Sequence, residues 1–567
     1  MCGILLFKGN EKITSRFHDN LEKLSHRGPD FKNFIHLNDI YIGHTRLSII
    51  DLSDMGNQPM VSTCSNYILS FNGEIYNYKD LKAELIKLGY EFKTKTDSEV
   101  LLNGFIEYGE DILNKVEGIF AFIIYDILKD KIFFARDHFG VKPIYYFNFE
   151  SNLIISSEIK SFKEFTNIDY KSKILFLSHG YIPSPHTYLK EVKSLLPGSV
   201  GCFVNNKLTT KKYFSSLNLI KNYKIDFNKD LITQSVKSQM ISDAKLGCFF
   251  SGGLDSSILT LESFKLNRKI ETYSINFKNS QDESEFQMQL KERYNFNNIS
   301  KELTLDDFRS NLNEFLKFMD SPTIDGLNTF FVSSIAKNQK TKVALSGLGS
   351  DEIFLGYPIY NNFKFLYTLQ KLISFLPLNF INTKYKKLDY LKLYNDYGVY
   401  LSQRGIFSIS EIATILNSSN SEIINYLKSN LSFDKKINEL SQLERMIYFE
   451  INKYMEGQLL RNTDVFGMAN SIEIRVPFLD LELAAHVLSI NKKGFNNKKI
   501  LINSYKNDIP EKVLNRKKMG FELPYQSWLK ELGAYDKQIK KYKRLNLNND
   551  SHWSKIWTLE ILDFKYK

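Results

Sequence analysis

Apolar residues recur at two spacings along this chain, and the spacing changes once. Through the first 160 residues the apolar runs are short, continuous or alternating: Gly3–Phe7, Tyr67–Phe71, Ile119–Asp126, Lys131–Ala135 and Leu153–Ser157. Runs of that length and period predict strands. Between them, Lys79–Leu88 and Ser98–Val116 carry helical spacing; Val100, Leu101, Phe105, Ile112 and Val116 share one face of the second. Asp97 stands where an N-cap would. The pattern predicts an α+β layered domain with mostly antiparallel strands.

Punctuation then accumulates, in Pro183, Pro185 and Pro197-Gly198, and a polar segment runs over 213–228. We place the boundary there, giving domains 2–212 and 213–567. Beyond it the apolar runs Lys245–Phe250, Ile270–Phe277 and Lys342–Leu345 are continuous, as in strands buried on both faces, and helical segments lie between them. An α/β domain with a parallel sheet is expected, helical from about Tyr357 onward.

Composition adds little to this and excludes several classes. With 567 residues the chain exceeds what one hydrophobic core sustains, about 250–300 residues. Hydrophobic residues at 43% and charged residues at 25% exclude collagen-like, coiled-coil and wholly disordered chains. The net charge of +11 suits a polyanionic partner. No RRM or zinc-finger pattern accompanies it, so no nucleic-acid partner is expected. The start lacks a basic leader, and the apolar stretch Phe365–Phe380 is interrupted by Lys371 and Pro377. Neither a signal peptide nor a membrane span is expected, and the location expected is cytoplasmic. Cys2, Cys64, Cys202 and Cys248 form no C-x-x-C pair and read as reduced thiols.

Three segments carry chemistry. Ser251-Gly252-Gly253-Leu254-Asp255-Ser256-Ser257 follows an apolar strand and opens a helix. Glycines allow close backbone approach, and free N–H groups at a helix start favour a phosphate. The spacing and the lysine of a Walker A loop are missing; the segment resembles the pyrophosphate loop of ATP pyrophosphatases. A second strand end reads Ser346-Gly347-Leu348-Gly349-Ser350-Asp351. In a parallel sheet both ends share one edge, where Asp255 and Asp351 could hold Mg2+ on a pyrophosphate, or merely cap helices. Third, Cys2 becomes the first residue if Met1 is removed. Its α-amine, with a pKa of roughly 7.7–8.0, could then serve as base for its own thiol. Asn72 and Gly73, at a strand end, are suitable oxyanion donors. Arg46 can fork onto a carboxylate, and Glu74 and Asp97 can accept from an ammonium. The plain alternative is a buried, inert Cys2.

These segments do not stand alone. Cys2-Gly3-Ile4, His26-Arg27-Gly28-Pro29-Asp30, His44-Thr45-Arg46-Leu47-Ser48-Ile49, Asn72-Gly73-Glu74-Ile75-Tyr76-Asn77, Thr96-Asp97-Ser98-Glu99 and the 135–143 run occur in that order. Together they resemble the class II glutamine amidotransferase domain of glutamine-hydrolysing asparagine synthetases. Ser251–Ser257, Ser346–Glu352, Met468–Ser471, Arg475–Asp480 and Gly520–Pro524 are similar to the synthetase domain.

The resemblance implies an Ntn-hydrolase-like αββα domain, then an ATP-pyrophosphatase domain with a helical C-terminal part, covering nearly the whole chain. It implies that Cys2 hydrolyses glutamine, with Asn72 and Gly73 as oxyanion hole and Arg46, Ile49, Ile50, Glu74 and Asp97 holding the substrate. Ammonia would pass through an internal tunnel to an aspartyl-adenylate, giving asparagine, AMP and pyrophosphate. ATP would lie on Phe250, Ser251, Gly252, Gly253, Asp255, Ser256, Ile275, Ser346 and Gly347, with Mg2+ on Asp255 and Asp351. Lys498, or failing it Lys499, would stabilise the charged intermediate. A homodimer is compatible with all of this.

Two positions depart from the pattern. Asparagine synthetases commonly carry an acid at position 348, and this chain has Leu348, which can neither take a proton nor pair with Lys498. Asp325 stands where some members present an arginine to aspartate. Both changes bear on the acceptor. Aspartate and another carboxylate, such as a sugar uronic acid, therefore both stay open. The basic run Lys492–Lys518 would suit a nucleotide-linked acceptor, or is simply a solvated face.

Overall fold

A computed structural model describes residues 2–221, 227–277, 283–373, 383–431, 433–490, 498–516 and 523–566. Gly520-Phe521-Glu522 and Lys492, Lys517 and Lys518 of the basic run lie outside the described residues, as does Pro377 of the apolar stretch.

The strands are, in chain order, β1 (Gly3–Lys8), β2 (Phe31–Leu37), β3 (Ile40–Arg46), β4 (Met60–Val61), β5 (Tyr67–Ile75), β6 (Gly118–Asp126), β7 (Lys131–Arg136), β8 (Tyr145–Phe149) and β9 (Asn152–Ser156). They continue as β10 (Val192–Ser194), β11 (Ser199–Val204), β12 (Lys207–Lys212), β13 (Leu246–Phe249), β14 (Glu271–Asn276), β15 (Asn297–Glu302), β16 (Val343–Leu345) and β17 (Glu473–Arg475). The first twelve build two antiparallel sheets, ordered β10-β8-β9-β1-β3-β2 and β12-β11-β7-β6-β5-β4. Alternation along the strands explains how they stack. In β1, Ile4 and Leu6 face the second sheet, while Leu5 and Phe7 join Phe17 and Leu21 of the helix Phe17–Glu22. In β6, Ala121, Ile123 and Tyr125 face the first sheet. Phe120, Phe122 and Ile124 face Leu81, Leu85, Val100 and Leu101 of the helices Tyr78–Lys87 and Asp97–Tyr108. Helix, sheet, sheet, helix is the layer order expected.

Three local expectations are corrected. Asp97 is the first helical residue and not the cap: Thr96 is extended and its hydroxyl accepts from the Glu99 N–H. The second helix ends at Tyr108, because Gly109 turns to φ 59°, and a 3-10 stretch Gly109–Asn114 carries Ile112 into the core. The strand expected over Tyr67–Phe71 is longer: β5 runs through Asn72 and Gly73 to Ile75, so they lie within its final pairs with β6 and not beyond it.

The remaining strands form one sheet ordered β15-β14-β13-β16-β17, with every pair parallel. The order reverses between β13 and β16. Crevices outside the carboxyl ends of strands open at such points. The helix after β13 starts at Leu254, earlier than expected, so Asp255 and Ser256 lie in its first turn.

The antiparallel sheets meet the parallel sheet and its helices through buried ion pairs. Arg27 forks onto Asp464 at 2.8 and 3.1 Å, touches Glu158 at 3.1 Å, and donates from Nε to the Cys2 carbonyl at 3.0 Å. Arg136 reaches Glu456 at 2.9 Å. Arg475 of β17 lies 3.1 Å from Glu74 of β5. Removing one member of such a pair leaves an uncompensated buried charge. Glu456→Leu is therefore expected to cost about 3–5 kcal/mol, read as a lowered urea midpoint, and adding Arg136→Met is expected to recover much of that loss. A double variant no more stable than the single one would contradict this account.

Candidate active site

Two cavities are lined by many of the residues singled out above; Asn72 lines neither.

The smaller has a volume of about 30 Å³ and is lined by Cys2, Arg46, Ile49, Ile50, Gly73, Glu74 and Asp97. Sequence reasoning did not single out Leu47, Gly56, Gln58, Thr96 and Ser98, which complete it. Cys2 precedes β1 and is held from three sides. Its N–H donates to Asn72 Oδ1 at 2.9 Å, its carbonyl accepts from Arg27, and the Leu47 N–H points at its sulfur. Burial pushes the thiol up, against the Leu47 N–H and Arg46. With its oxygen fixed, Asn72 turns its amide Nδ2 into a buried position with no hydrogen-bond partner among the described residues. Such a group costs free energy unless a ligand takes it. Gly73 has no room for a side chain: a Cβ would lie 2.1 Å from the Ile119 carbonyl.

Arg46 is folded into the cavity wall. Its guanidinium donates to the Ser53 carbonyl at 2.7 Å, to Asn57 Oδ1 at 2.9 Å and to the Asp51 carbonyl, tying down the segment 50–57. Gly56 permits this, since a Cβ there would lie 2.2 Å from Arg46 Nη2. Asp97 accepts from the Ile75 N–H at 2.9 Å, yet burial lifts its carboxyl to about 6. Glu74 is raised as well, chiefly by burial, with Arg475 opposing the shift and Asp97 and Glu473 adding to it. A cation entering here would find two buried carboxyl groups, Glu74 with Arg475 at 3.1 Å and Asp97 with no ion pair among the described residues.

The larger cavity, about 1390 Å³, lies over the carboxyl edge of the parallel sheet. Ser251, Gly253, Asp255, Ser346, Asp351 and Lys498 line it, together with Leu348 and Asp325. At Gly252 the backbone enters the left-handed region, φ 84°, where a side chain is disfavoured. Ser256 Oγ then donates to the Gly253 carbonyl at 3.1 Å and closes the loop on itself. The loop after β16 packs onto this one so closely that a Gly347 Cβ would stand 3.1 Å from Asp255 Cβ. Lys498 binds both Asp255 and Asp351, the latter at 2.6 Å, and the two carboxylates hold its ammonium well above the ordinary range. Lys499 is exposed. Phe250 and Ile275 are buried in the core below and do not line the cavity, nor do Gly252, Ser256 and Gly347. Asp325 is half-buried, accepts a hydrogen bond from Asn462, and is shifted upward by desolvation.

Arg475 was legible only as part of a motif. Its Nη2 faces Glu74 at the small cavity, and its backbone carbonyl accepts from the Ser346 N–H at 2.9 Å at the large one.

Residues 1–214 match the family model described as a glutamine amidotransferase domain, and residues 228–558 match asparagine synthase. The chain is 31% identical to asparagine synthetase [glutamine-hydrolyzing] 1 of Bacillus subtilis, over 99% of this chain and 93% of that one. It is 27% identical to asparagine synthetase [glutamine-hydrolyzing] 3 of the same organism, over 96% and 90%. Among solved structures, glutamine phosphoribosylpyrophosphate amidotransferase from B. subtilis, complexed with ADP and GMP, matches with 18% identity and a TM-score of 0.30. That match spans 48% of this chain and 65% of the other. No helix among the described residues is long and apolar enough to cross a membrane.

The upward shift of Asp97 has a sign that can be checked. An aspartate unfolded near about 3.9 and folded near about 6 binds its proton more tightly in the folded state. The folded protein therefore loses stability as pH rises from about 4 to about 6, and the loss is constant above that. Asp97→Asn keeps an acceptor for the Ile75 N–H without the charge. Its urea midpoint relative to wild type is expected to rise across that window and level off above it. A flat difference would mean Asp97 is not perturbed.

Proposed function

The chain belongs to the glutamine-hydrolysing asparagine synthetase family, and from that premise we propose which residues do the work and on what. It is an enzyme that transfers glutamine nitrogen. In our reading Met1 is removed and the Cys2 α-amine takes the thiol proton. The thiolate attacks the glutamine amide carbon, ammonia leaves, and water releases glutamate from the thioester. Asn72 Nδ2 and the Gly73 N–H would bind the oxyanion. Arg46 would hold the glutamine carboxylate, Glu74 and Asp97 its ammonium, and Ile49 and Ile50 would shape the wall. The observation that carries this is the meeting of a thiol and two carboxyl groups raised by burial in one cavity, with the unpartnered amide of Asn72 next to Gly73 of its wall.

At the larger cavity, a carboxylate oxygen of the acceptor would attack the α-phosphorus of ATP and displace pyrophosphate. Ammonia arriving through the interface would then displace AMP. Ser251 to Ser256, Ser346 and Gly347 would cradle the nucleotide with helix-start N–H groups, above Phe250 and Ile275. Lys498 would neutralise charge on the phosphates. Asp255 and Asp351 already converge on one cation, Lys498 Nζ, and offer the hard oxygens that suit Mg2+ beside substrate phosphates. Bound there, the ion would supply charge neutralisation for the departing pyrophosphate. We take aspartate as acceptor, as the family name implies, and divide the chain at 212/213. The second reading, another carboxylate, draws its support from Leu348 and Asp325, which line the cavity where an acid and an arginine would be expected.

Pyrophosphate release tests the reading directly. Cys2→Ala is expected to abolish glutamine-dependent release while sparing release driven by ammonium; loss of both would contradict two separate sites. Asn72→Ala is expected to slow glutamine hydrolysis by about 10²–10³-fold. Because Asp97 must be ionised to accept an ammonium, KM for glutamine is expected to rise as pH falls through about 6. A pH-independent KM would remove Asp97 from that role.

A further inference from the structure

The larger cavity has a basic wall that the reading above leaves unused. It is built by elements separate from the nucleotide loop: the 3-10 stretch Thr383–Leu393, the end of the helix Asp396–Arg404, and the helix Trp553–Lys565. Lys386, Lys387, Arg404 and Lys555 all line it.

Their partners do not balance them. Arg404 is satisfied: it forks onto Glu450 at 2.8 and 2.5 Å and lies between Tyr357 and Tyr454, 4.4 and 4.0 Å from the ring centroids. Lys386 and Lys555 share a single oxygen, Glu411 Oε1, at 3.8 and 2.7 Å. The other oxygen of Glu411 caps its own helix through the Ser408 N–H at 2.9 Å. Asp389 is turned to the same helix start, accepting from the Ile409 and Ser410 N–H groups at 3.1 and 3.0 Å. Lys387 has no carboxylate among the described residues; its hydrogen-bond partner there is the Gln403 carbonyl at 3.4 Å. It is half-buried, and burial with Lys555 and Arg404 close by pushes its ammonium down, against the pull of Glu411. A half-buried ammonium beside two other cations, open to a substrate cavity, gains most from an incoming anion.

We infer that Lys387 and Lys555 form a subsite for an anionic group of the acceptor other than the carboxylate that is amidated. The inference rests on the proposed synthetase reaction and deepens it. Asp325 cannot serve such an anion, and these lysines supply from another wall the charge that position 325 lacks. Two sources share the chemistry: the second carboxylate of aspartate, or a phosphate on a larger acceptor. The cavity's size accommodates either, being above the 300–1,000 Å³ usual for small-molecule pockets.

The test uses the full chain and Lys387→Met, which keeps the stem and removes the charge, with Lys387→Arg as rescue. Binding of inorganic phosphate is measured by calorimetry, which needs no turnover, and KM for aspartate by ammonium-driven pyrophosphate release. Loss of one charge-assisted contact is expected to weaken the bound anion at least about tenfold. A rise in aspartate KM that Lys387→Arg reverses, with KM for ATP and glutamine hydrolysis unchanged, supports the subsite and assigns it to the second carboxylate. Phosphate binding weakened to that extent with aspartate KM unchanged also supports it and points to a phosphorylated acceptor. Neither quantity moving in Lys387→Met or in Lys387→Met/Lys555→Met overturns the inference. Wild-type chain that hydrolyses glutamine but binds no ATP would instead sink the synthetase reading, an outcome read separately from the phosphate titration.

Discussion

Charge buried between two halves of a chain must be matched across the boundary, and in this protein that requirement fixes where everything else lies. Arg27, Arg136 and Arg475 are each 2% exposed or less, and each has its carboxylate partner on the other side of the interface. An ion pair in such surroundings tolerates little displacement, because separation exposes each charge to a medium that cannot solvate it. The geometry is therefore set to within hydrogen-bonding distances. Arg27 transmits it to the small cavity through the Cys2 carbonyl. Arg475 transmits it to both cavities, through Glu74 on one side and the Ser346 N–H on the other.

The two cavities use opposite solutions to the same electrostatic problem. In the small one the carboxyl groups of Glu74 and Asp97 are raised by burial, although Arg475 stands 3.1 Å from Glu74. In the large one Asp255 and Asp351 have a cation already in place, in Lys498. In the proposed reaction the first arrangement would receive the ammonium of glutamine, and the second would hold the phosphates of ATP beside Lys498. Both follow from which side chains the strand ends deliver: β5 carries Asn72, Gly73 and Glu74 past a neighbouring backbone too close for any Cβ at 73, and β13 and β16 deliver two loops to one switch point.

Much of this was legible in the sequence because local rules and motifs agreed. The alternation in Gly3–Phe7 and Ile119–Asp126 gave the layers, and the unbroken apolar runs before Ser251 and Ser346 gave the parallel sheet. Boundaries were less legible where tertiary contacts decide them. Gly109 breaks a helix whose apolar spacing continues to Val116, since Ile112 reaches the same core from a 3-10 turn. Strands β2, β12 and β15 escaped notice because their faces are largely exposed and lack apolar alternation, and the more buried β3, β8 and β11 were not expected either. The basic wall of Lys386, Lys387 and Lys555 was invisible for another reason. Lys386 and Lys387 are adjacent, but Lys555 lies about 170 residues away and meets Lys386 through Glu411. Nothing local marks a lysine whose partner is shared.

Arg475 also bears on how such a chain can change over time. Its peptide group is part of the parallel sheet, yet its guanidinium completes the wall around Glu74. A recombination that replaced the first half alone would leave this arginine with Glu473 of its own strand but take away its carboxylate across the interface, unless the incoming half brought one to the same place. The two halves are thus not interchangeable modules. Arg27, Arg136 and Arg475 bind them to a common history, and exchange between relatives is confined to partners that keep both ends of these pairs.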